Sequence, residues 1–141
     1  MRNDADFRRL VDGIHAEGTK VFVQLFHPGR ELLGRPDGVV QPAFAPSHSP
    51  SERFKVIPRE LSVEMIGEIL EGFGETARRM AEAGADGVEI VASHGYLPAQ
   101  FMNPHVNRRS DRYGGSFENR MRFTREAITA AGSRVPAEFI V

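Results

Sequence analysis

The fold is decided by residues 62–91, which have the sequence SVEMIGEILEGFGETARRMAEAGADGVEIV. Apolar side chains recur along one helix face of this stretch, at Ile66, Ile69, Leu70, Phe73, Ala77, Met80 and Ala81. Ser62 is a favoured N-cap residue, Glu64 falls in the first turn, and Gly84 is of the type that commonly ends a helix. The apolar, β-branched run Asp86–Val91 then predicts a β-strand. The stretch therefore predicts a helix, a short link and a strand.

The same helix-then-strand pattern occurs on both sides of this stretch. Upstream, helical spacing is seen at Phe7, Leu10, Val11 and Ile14, with Gly18 as the stop and Lys20–Leu25 as the following strand. Downstream, a third helix is predicted from near Ser116 to about Ala131, followed by a strand at Glu138–Val141. Alternation of helices and strands predicts an α/β fold with a parallel sheet.

The connections in this pattern are unequal in length. The link from helix to strand at Ala83–Asp86 is short, whereas the links from strand to helix, Phe26–Leu61 and Ala92–Gly115, are long. Ligands of α/β folds bind at the carboxyl ends of the strands, where the long links lie, so a site is expected there. Residues 41–50, which contain three prolines, could equally be a disordered insertion.

Composition excludes several classes of function. The chain has 141 residues, 40% of them apolar, which fits one globular domain, and its net charge of −1 argues against nucleic-acid binding. It has no cysteine, so it holds no disulfide and no cysteine-bound metal. Neither a signal peptide nor an apolar run of about 18 residues is present, so no membrane segment is predicted and a cytoplasmic location is expected. No metal-binding, nucleophile-elbow or P-loop motif is present either, and a small-molecule substrate is expected.

The chemistry-bearing residues follow the predicted strands. His94 and Tyr96 come directly after the second strand, where side chains of a barrel point into the site. Histidine can hold or donate a proton near neutral pH, and a tyrosine hydroxyl can act as a general acid. A hydrogen-bonded structural histidine and a half-buried tyrosine are the alternative. Gln24, at the end of the first strand, offers both a donor and an acceptor, which suits the edge of a heterocycle such as a flavin pyrimidine.

Two further polar clusters are interpreted as scaffold. In residues 107–120, Gly114 and Gly115 stand beside Asp111 and several arginines, which indicates a tight turn braced by ion pairs. His27 and Arg30 also fit a structural role better than a catalytic one.

The motifs together closely resemble the central signature of the Old Yellow Enzyme family of flavin oxidoreductases. The matching residues are His94-Gly95-Tyr96-Leu97, Gln100-Phe101, Pro104, Asn107-x-Arg109-x-Asp111-x-Tyr113-Gly114-Gly115-Ser116-x-Glu118-Asn119-Arg120-x-Arg122-Phe123, and upstream Gln24-Leu25-x-His27-x-Gly29-Arg30. This family includes NADH:flavin oxidoreductases, 2,4-dienoyl-CoA reductases and trimethylamine dehydrogenase.

The resemblance implies a partial TIM (β/α)₈ barrel, in which residues 1–141 form a single incomplete domain that carries about strands 3 to 5 with their helices. It implies FMN as cofactor and NAD(P)H as reductant. By the same likeness, Gln24 contacts the flavin ring, Tyr96 donates a proton to the substrate carbon and His94 anchors the substrate oxygen. It also allows a 4Fe–4S cluster and FAD in further C-terminal parts, and a homo-oligomer in the full-length form.

One position departs from the family pattern. Enone-reducing members often carry a histidine three residues before the second anchor, and Val91 stands there in this sequence. The leading hypothesis is NAD(P)H-driven reduction of an activated C=C bond of an unsaturated carbonyl or thioester. Oxidative N-demethylation of an amine is the alternative, because the run after Tyr96 also resembles trimethylamine dehydrogenase. An inactive truncated barrel fragment is the third hypothesis.

Overall fold

The computed structural model describes residues 2–32, 38 and 41–141. In chain order the elements are α1 (Arg2–Ala16), β1 (Phe22–Leu25), β2 (Phe44–Ala45), β3 (Arg59–Glu60), α2 (Val63–Glu82), β4 (Gly87–Ile90), α3 (Leu97–Met102) and α4 (Phe117–Gly132). They fall into two compact units. The sheet unit consists of Met1–Leu25, Glu68–Ile90 and Glu126–Val141, and the loop unit consists of Phe26–Gly67 and Val91–Arg125.

The sheet unit is built on a parallel pair of strands. Strand β1 pairs with β4 in a register that sets Phe22 opposite Gly87 and Gln24 opposite Glu89. Side chains alternate between the two faces of a strand, so these four residues share one face. Helices lie near the other face, where Phe7 of α1, Val23 and Leu25 of β1 and Met80 of α2 line one open pocket. Leu25 and Val88 are accordingly buried, whereas Phe22 on the opposite face is 48% exposed.

The predicted strand at Glu138–Val141 is reduced to a single bridge. Ile140 pairs in parallel with Gly87, with the Val88 amide donating to the Ile140 carbonyl at 2.9 Å and the Ile140 amide donating to Asp86 at 3.1 Å. The strand expected at Glu138–Val141 is therefore seen as a single pairing at Ile140. The bridge still lies next to β4, so the order along the sheet follows the order along the chain.

The three long helices agree with the sequence pattern. The Ser62 hydroxyl caps α2 by accepting a hydrogen bond from the Met65 amide at 3.2 Å. Gly18 follows α1 with φ +77°, and Gly84 follows α2 with φ +94°, so both act as the expected helix stops. Leu10 is an exception, because its position in the apolar stripe predicts burial but its side chain is 56% exposed.

The loop unit has its own small core. Phe101 stacks on Phe123 with ring centroids 4.4 Å apart, and Tyr113 packs against Phe101 at 6.0 Å. Strands β2 and β3 form a second parallel pair. Within residues 41–50, Ala43 and Ala45 are buried, so this proline-containing segment is an ordered part of the unit and not a disordered insertion.

Candidate active site

The residues after β4 form a tight turn that presents two aromatic side chains. The Tyr96 amide donates to the Ser93 carbonyl at 3.1 Å, which closes a four-residue turn. Its central residues, His94 and Gly95, have φ of +58° and +76°, the pattern of a type I′ turn. A positive φ is uncommon outside glycine, although histidine, asparagine and aspartate adopt it several-fold more often than other residues. The turn therefore holds His94 in a backbone conformation that few side chains would accept.

Tyr96 lies between two other rings. Its ring centroid is 5.2 Å from that of Phe26 and 6.0 Å from that of His94. The side chain is half-buried, and its hydroxyl makes no hydrogen bond to any residue that the structure describes. The ring is thus fixed by packing while the O–H group stays available for a ligand.

The imidazole of His94 is oriented by its neighbour. The Ser93 hydroxyl lies 2.6 Å from Nδ1 of His94. When the hydroxyl donates this hydrogen bond, Nδ1 is the acceptor and Nε2 carries the proton. His94, which is exposed, then offers an N–H donor through Nε2.

Gln100 connects the turn to the segment that follows β1. Its side chain is 2% exposed, and its Nε2 donates to the Gly95 carbonyl at 2.6 Å and to the Pro28 carbonyl at 3.0 Å. Its Oε1 accepts from the Arg30 amide at 3.2 Å. One buried carboxamide therefore joins two loops that lie about 70 residues apart in the sequence.

His27 is held as a neutral structural residue. Its Nδ1 accepts a hydrogen bond from the Gly29 amide at 3.1 Å, and burial lowers the pKa of the imidazole below its ordinary value. Its carbonyl accepts from the Leu97 amide at 2.9 Å, which satisfies one of the free N–H groups at the start of α3. The structural role expected for His27 is confirmed by these contacts.

The arginine-rich segment is the ion-paired turn that the sequence indicates. Arg109 is 8% exposed and donates through Nη2 to Asp111 at 2.6 Å and through Nη1 to the carbonyls of Pro46 and Leu61 at 2.9 and 2.6 Å. The hydrogen bond from Arg109 lowers the pKa of the Asp111 carboxyl. This network ties residues 107–113 to the small strands of the loop unit, so the cluster is scaffold.

Gln24 belongs to the sheet unit. Its Nε2 donates to Oε2 of Glu89 at 3.0 Å, across the β1–β4 pair. Both side chains are exposed on the face of the sheet that also carries Phe22 and Gly87. The structure thus brings His94 and Tyr96 together in the loop unit and places Gln24 with Glu89 in the sheet unit.

The sequence alone assigns no role to three residues of the site: Ser93, Gln100 and Glu89. Ser93 adjoins His94 and could have been found by its position. Glu89 contacts Gln24, 65 positions away, and Gln100 contacts Arg30, 70 positions away, so only the fold shows these two contacts. Val91, where some family members carry an anchor, is a buried side chain with 8% exposure.

Two classes of site are absent from the described part of the chain. No group of three or more histidine or carboxylate side chains there is arranged to hold a metal ion. None of the helices formed by these residues has a stretch long and apolar enough to cross a bilayer.

A parallel sheet with helices on one face, followed by polar side chains after the carboxyl ends of its strands, is the architecture of an α/β-barrel enzyme. The chain belongs to the NADH:flavin oxidoreductase / NADH oxidase family, whose model matches residues 3–141.

Similar proteins agree with this assignment. The chain is 45% identical over 132 residues to a metal reductase of Desulforamulus reducens, covering 94% of this chain and 20% of that protein. It is 38% identical over 136 residues to an N,N-dimethylglycine/sarcosine dehydrogenase of Chromohalobacter salexigens, covering 96% of this chain and 19% of the relative. Morphinone reductase is a TIM barrel, and its structure in complex with tetrahydroNAD superposes on 97% of this chain. The TM-score is 0.86 and the sequence identity is 34%. The chain spans 42% of that structure and about a fifth of the two relatives.

Proposed function

We propose that this chain supplies about strands 3 to 5 of an FMN-binding barrel that reduces an activated C=C bond with NAD(P)H. The observation that carries the proposal is the turn at His94 and Tyr96, which presents an imidazole and a phenol with ring centroids 6.0 Å apart, the phenolic hydroxyl making no hydrogen bond to a described residue. The match to the flavin oxidoreductase family and the similarity to morphinone reductase with a bound nicotinamide analogue support it.

The residues present suit a flavin. The pyrimidine edge of FMN has carbonyl oxygens and an N–H group, so it needs a donor and an acceptor side by side. Gln24 provides both on one carboxamide, and only one of its N–H groups is used by Glu89. When bound and reduced, FMN would supply a hydride to the β-carbon of the substrate.

The two residues of the turn would complete the reaction. Nε2–H of His94 would donate a hydrogen bond to the carbonyl oxygen of the substrate, stabilising the negative charge that develops there. The Tyr96 hydroxyl would then donate its proton to the α-carbon as a general acid. The resulting phenolate would be reprotonated from solvent, and the product would be the saturated carbonyl compound.

Oxidative N-demethylation of an amine is the second candidate function. It is favoured by the 38% identity to N,N-dimethylglycine/sarcosine dehydrogenase and by the apolar side chain at Val91. A valine cannot hydrogen-bond a carbonyl oxygen, so the site has one anchor where a two-point clamp would need two. In this direction the substrate is oxidised and no proton is delivered to carbon.

Half-reaction kinetics on the complete protein that carries this chain would separate the two. The bound flavin is reduced anaerobically with NADH or NADPH and mixed with 2-cyclohexenone or an enoyl thioester, and the oxidised enzyme is separately mixed with sarcosine. Reoxidation by the unsaturated compound supports the proposal. Flavin reduction by sarcosine, without reoxidation by the enone or the enoyl thioester, supports oxidative N-demethylation of an amine. Absence of any bound flavin would overturn both and favour an inactive fragment.

A further inference from the structure

We propose that Glu89 is a positioning residue that fixes the orientation of the Gln24 carboxamide for flavin binding. This inference rests on the proposed FMN function, because Gln24 is taken as the ring contact. Glu89 itself is not expected to touch the cofactor. Its role is to decide which end of the amide points toward the ring.

The register of the sheet brings the two side chains together. Gln24 and Glu89 are Cα partners of the parallel pair β1–β4, so both project from the same face. The distance from Nε2 of Gln24 to Oε2 of Glu89 is 3.0 Å, within the range of a hydrogen bond.

The chemistry of the pair permits only one orientation of the amide. An ionised carboxylate accepts hydrogen bonds and cannot donate one. If the Gln24 amide were flipped, Oε1 would face a carboxylate oxygen, and two acceptors would repel each other. Gln24 must therefore direct Nε2 toward Glu89, which leaves Oε1 and one N–H free.

The orientation matters because the ligand edge is directional. A free Oε1 next to a free N–H pairs with an N–H and an adjacent carbonyl, which is the arrangement on the flavin pyrimidine. An amide free to rotate would divide its population between the two orientations and would have to be ordered on binding. Glu89 removes this cost before the cofactor arrives.

If Glu89 acted only through its charge, replacing it would change FMN affinity in the opposite direction from a positioning role. FMN carries a negatively charged phosphate, so replacement of Glu89 by a neutral residue should strengthen FMN binding or leave it unchanged if charge alone mattered. The positioning role predicts that the same substitution weakens binding. The direction of the change therefore separates the two explanations.

The experiment is a double-mutant cycle on the complete protein that carries this chain. Apoprotein is prepared for the wild type, Glu89→Gln, Gln24→Ala and the double variant, and the FMN dissociation constant is measured by quenching of flavin fluorescence. Glutamine at position 89 keeps the size of the side chain but can face Gln24 with either end of its amide. The expected result is an increase in Kd of about twofold for Glu89→Gln, because an amide divided equally between two orientations is competent to bind half of the time.

In the Gln24→Ala background, Glu89→Gln should have no further effect, because Glu89 acts through Gln24. Glu68→Gln, which removes an exposed carboxylate of α2, is the control for net charge and should leave Kd unchanged. An equal effect of Glu89→Gln in both backgrounds, or tighter FMN binding, would overturn the inference while leaving the proposed function intact. A wild-type apoprotein that does not bind FMN would overturn both.

Discussion

The carboxamide of Gln100 occupies the space beside Gly29 that any side chain at position 29 would need. A Cβ at this position would lie 2.2 Å from Oε1 of Gln100. Gly29 also has φ +60°, so glycine is required there twice, by the backbone and by its neighbour. Gln100 also donates a hydrogen bond to the Gly95 carbonyl. A side chain at position 29 that displaces Gln100 should therefore also disturb the turn that carries His94 and Tyr96.

Gly29→Ala is expected to destabilise the protein more than a positive φ alone explains. The backbone strain costs about 1–2 kcal/mol, and displacement of Gln100 adds the loss of buried hydrogen bonds. The control is Gly115→Ala, where φ is +78° but nothing lies within 4 Å of a Cβ. Urea unfolding should show a clearly larger loss for Gly29→Ala, and equal losses would contradict the role of Gln100.

Tyr96→Phe should separate the two half-reactions. Removal of the hydroxyl should slow flavin reoxidation by an unsaturated substrate by about 10²–10⁴-fold, the usual range for a general acid. Flavin reduction by NAD(P)H should stay nearly unchanged in stopped-flow absorbance. Tyr113, the other tyrosine of the chain, gives the control, because its hydroxyl accepts from Arg112 in the loop core at 3.2 Å. Tyr113→Phe should affect stability and neither rate; equal slowing of both half-reactions by Tyr96→Phe would refute the assignment.

Val91→His should strengthen binding of a phenolate such as that of p-hydroxybenzaldehyde. A second hydrogen bond to the phenolate oxygen, beside that of His94, is worth roughly 1.5–3 kcal/mol. The measurement is titration of the long-wavelength charge-transfer band of the bound flavin. Val91→Ile changes the volume of this buried side chain without adding a donor, and it should give no gain. A wild-type protein that already binds the phenol tightly with a strong band would show that the missing anchor is not limiting.

Asp86 should make the stability of the protein depend on acid pH. Its carboxylate accepts hydrogen bonds from Lys20 at 2.8 Å, from the Val21 amide at 2.8 Å and from His15 at 2.7 Å, and these lower its pKa well below the ordinary 3.8. A lowered pKa in the folded state stabilises the protein above about pH 4 and loses this effect as the pH falls toward the folded pKa.

Asp86→Asn should therefore reduce the free energy of unfolding at pH 7, and the difference from the wild type should shrink as the pH falls from 4 to 2. Urea denaturation at several pH values measures this difference. Asp12→Asn, at an exposed position on α1, serves as the control and should show little difference at any pH. A gap between Asp86→Asn and the wild type that stays constant down to pH 2 would argue against the assigned contacts.

The regular part of the fold could be predicted because its signal is local. Helices α1 and α2 follow from the spacing of their apolar residues and from the glycines that end them, and strands β1 and β4 from the apolar runs that come after these helices. Helix α3 was missed because six residues that include Pro98 are too short to show a period. The two-residue strands β2 and β3 depend on each other across 13 intervening residues, so neither has a local signature.

The site was only partly predictable for the same reason. His94, Tyr96 and Gln24 could be selected because they follow predicted strands and match a family motif. Their partners could not, because the contacts of Gln100 with Arg30 and of Glu89 with Gln24 depend on how distant segments meet. The apolar pattern at Glu138–Val141 indicated a strand, but it could not show that pairing is limited to Ile140 and Gly87, because a bridge depends on how distant segments meet.

The left-handed backbone at His94 also limits which hydrogen-bonding residues this position can accept. Asparagine and aspartate are, with histidine, the non-glycine residues that adopt a positive φ several-fold more often than the rest, and both have hydrogen-bonding side chains. Other side chains could also hydrogen-bond an oxygen, among them those of lysine, arginine, glutamine and threonine. Backbone strain in this turn would cost each of them about 1–3 kcal/mol. The backbone conformation therefore restricts the substitutions that position 94 accepts. Among related sequences, a change of substrate preference at this position should come through His-to-Asn or His-to-Asp exchanges first.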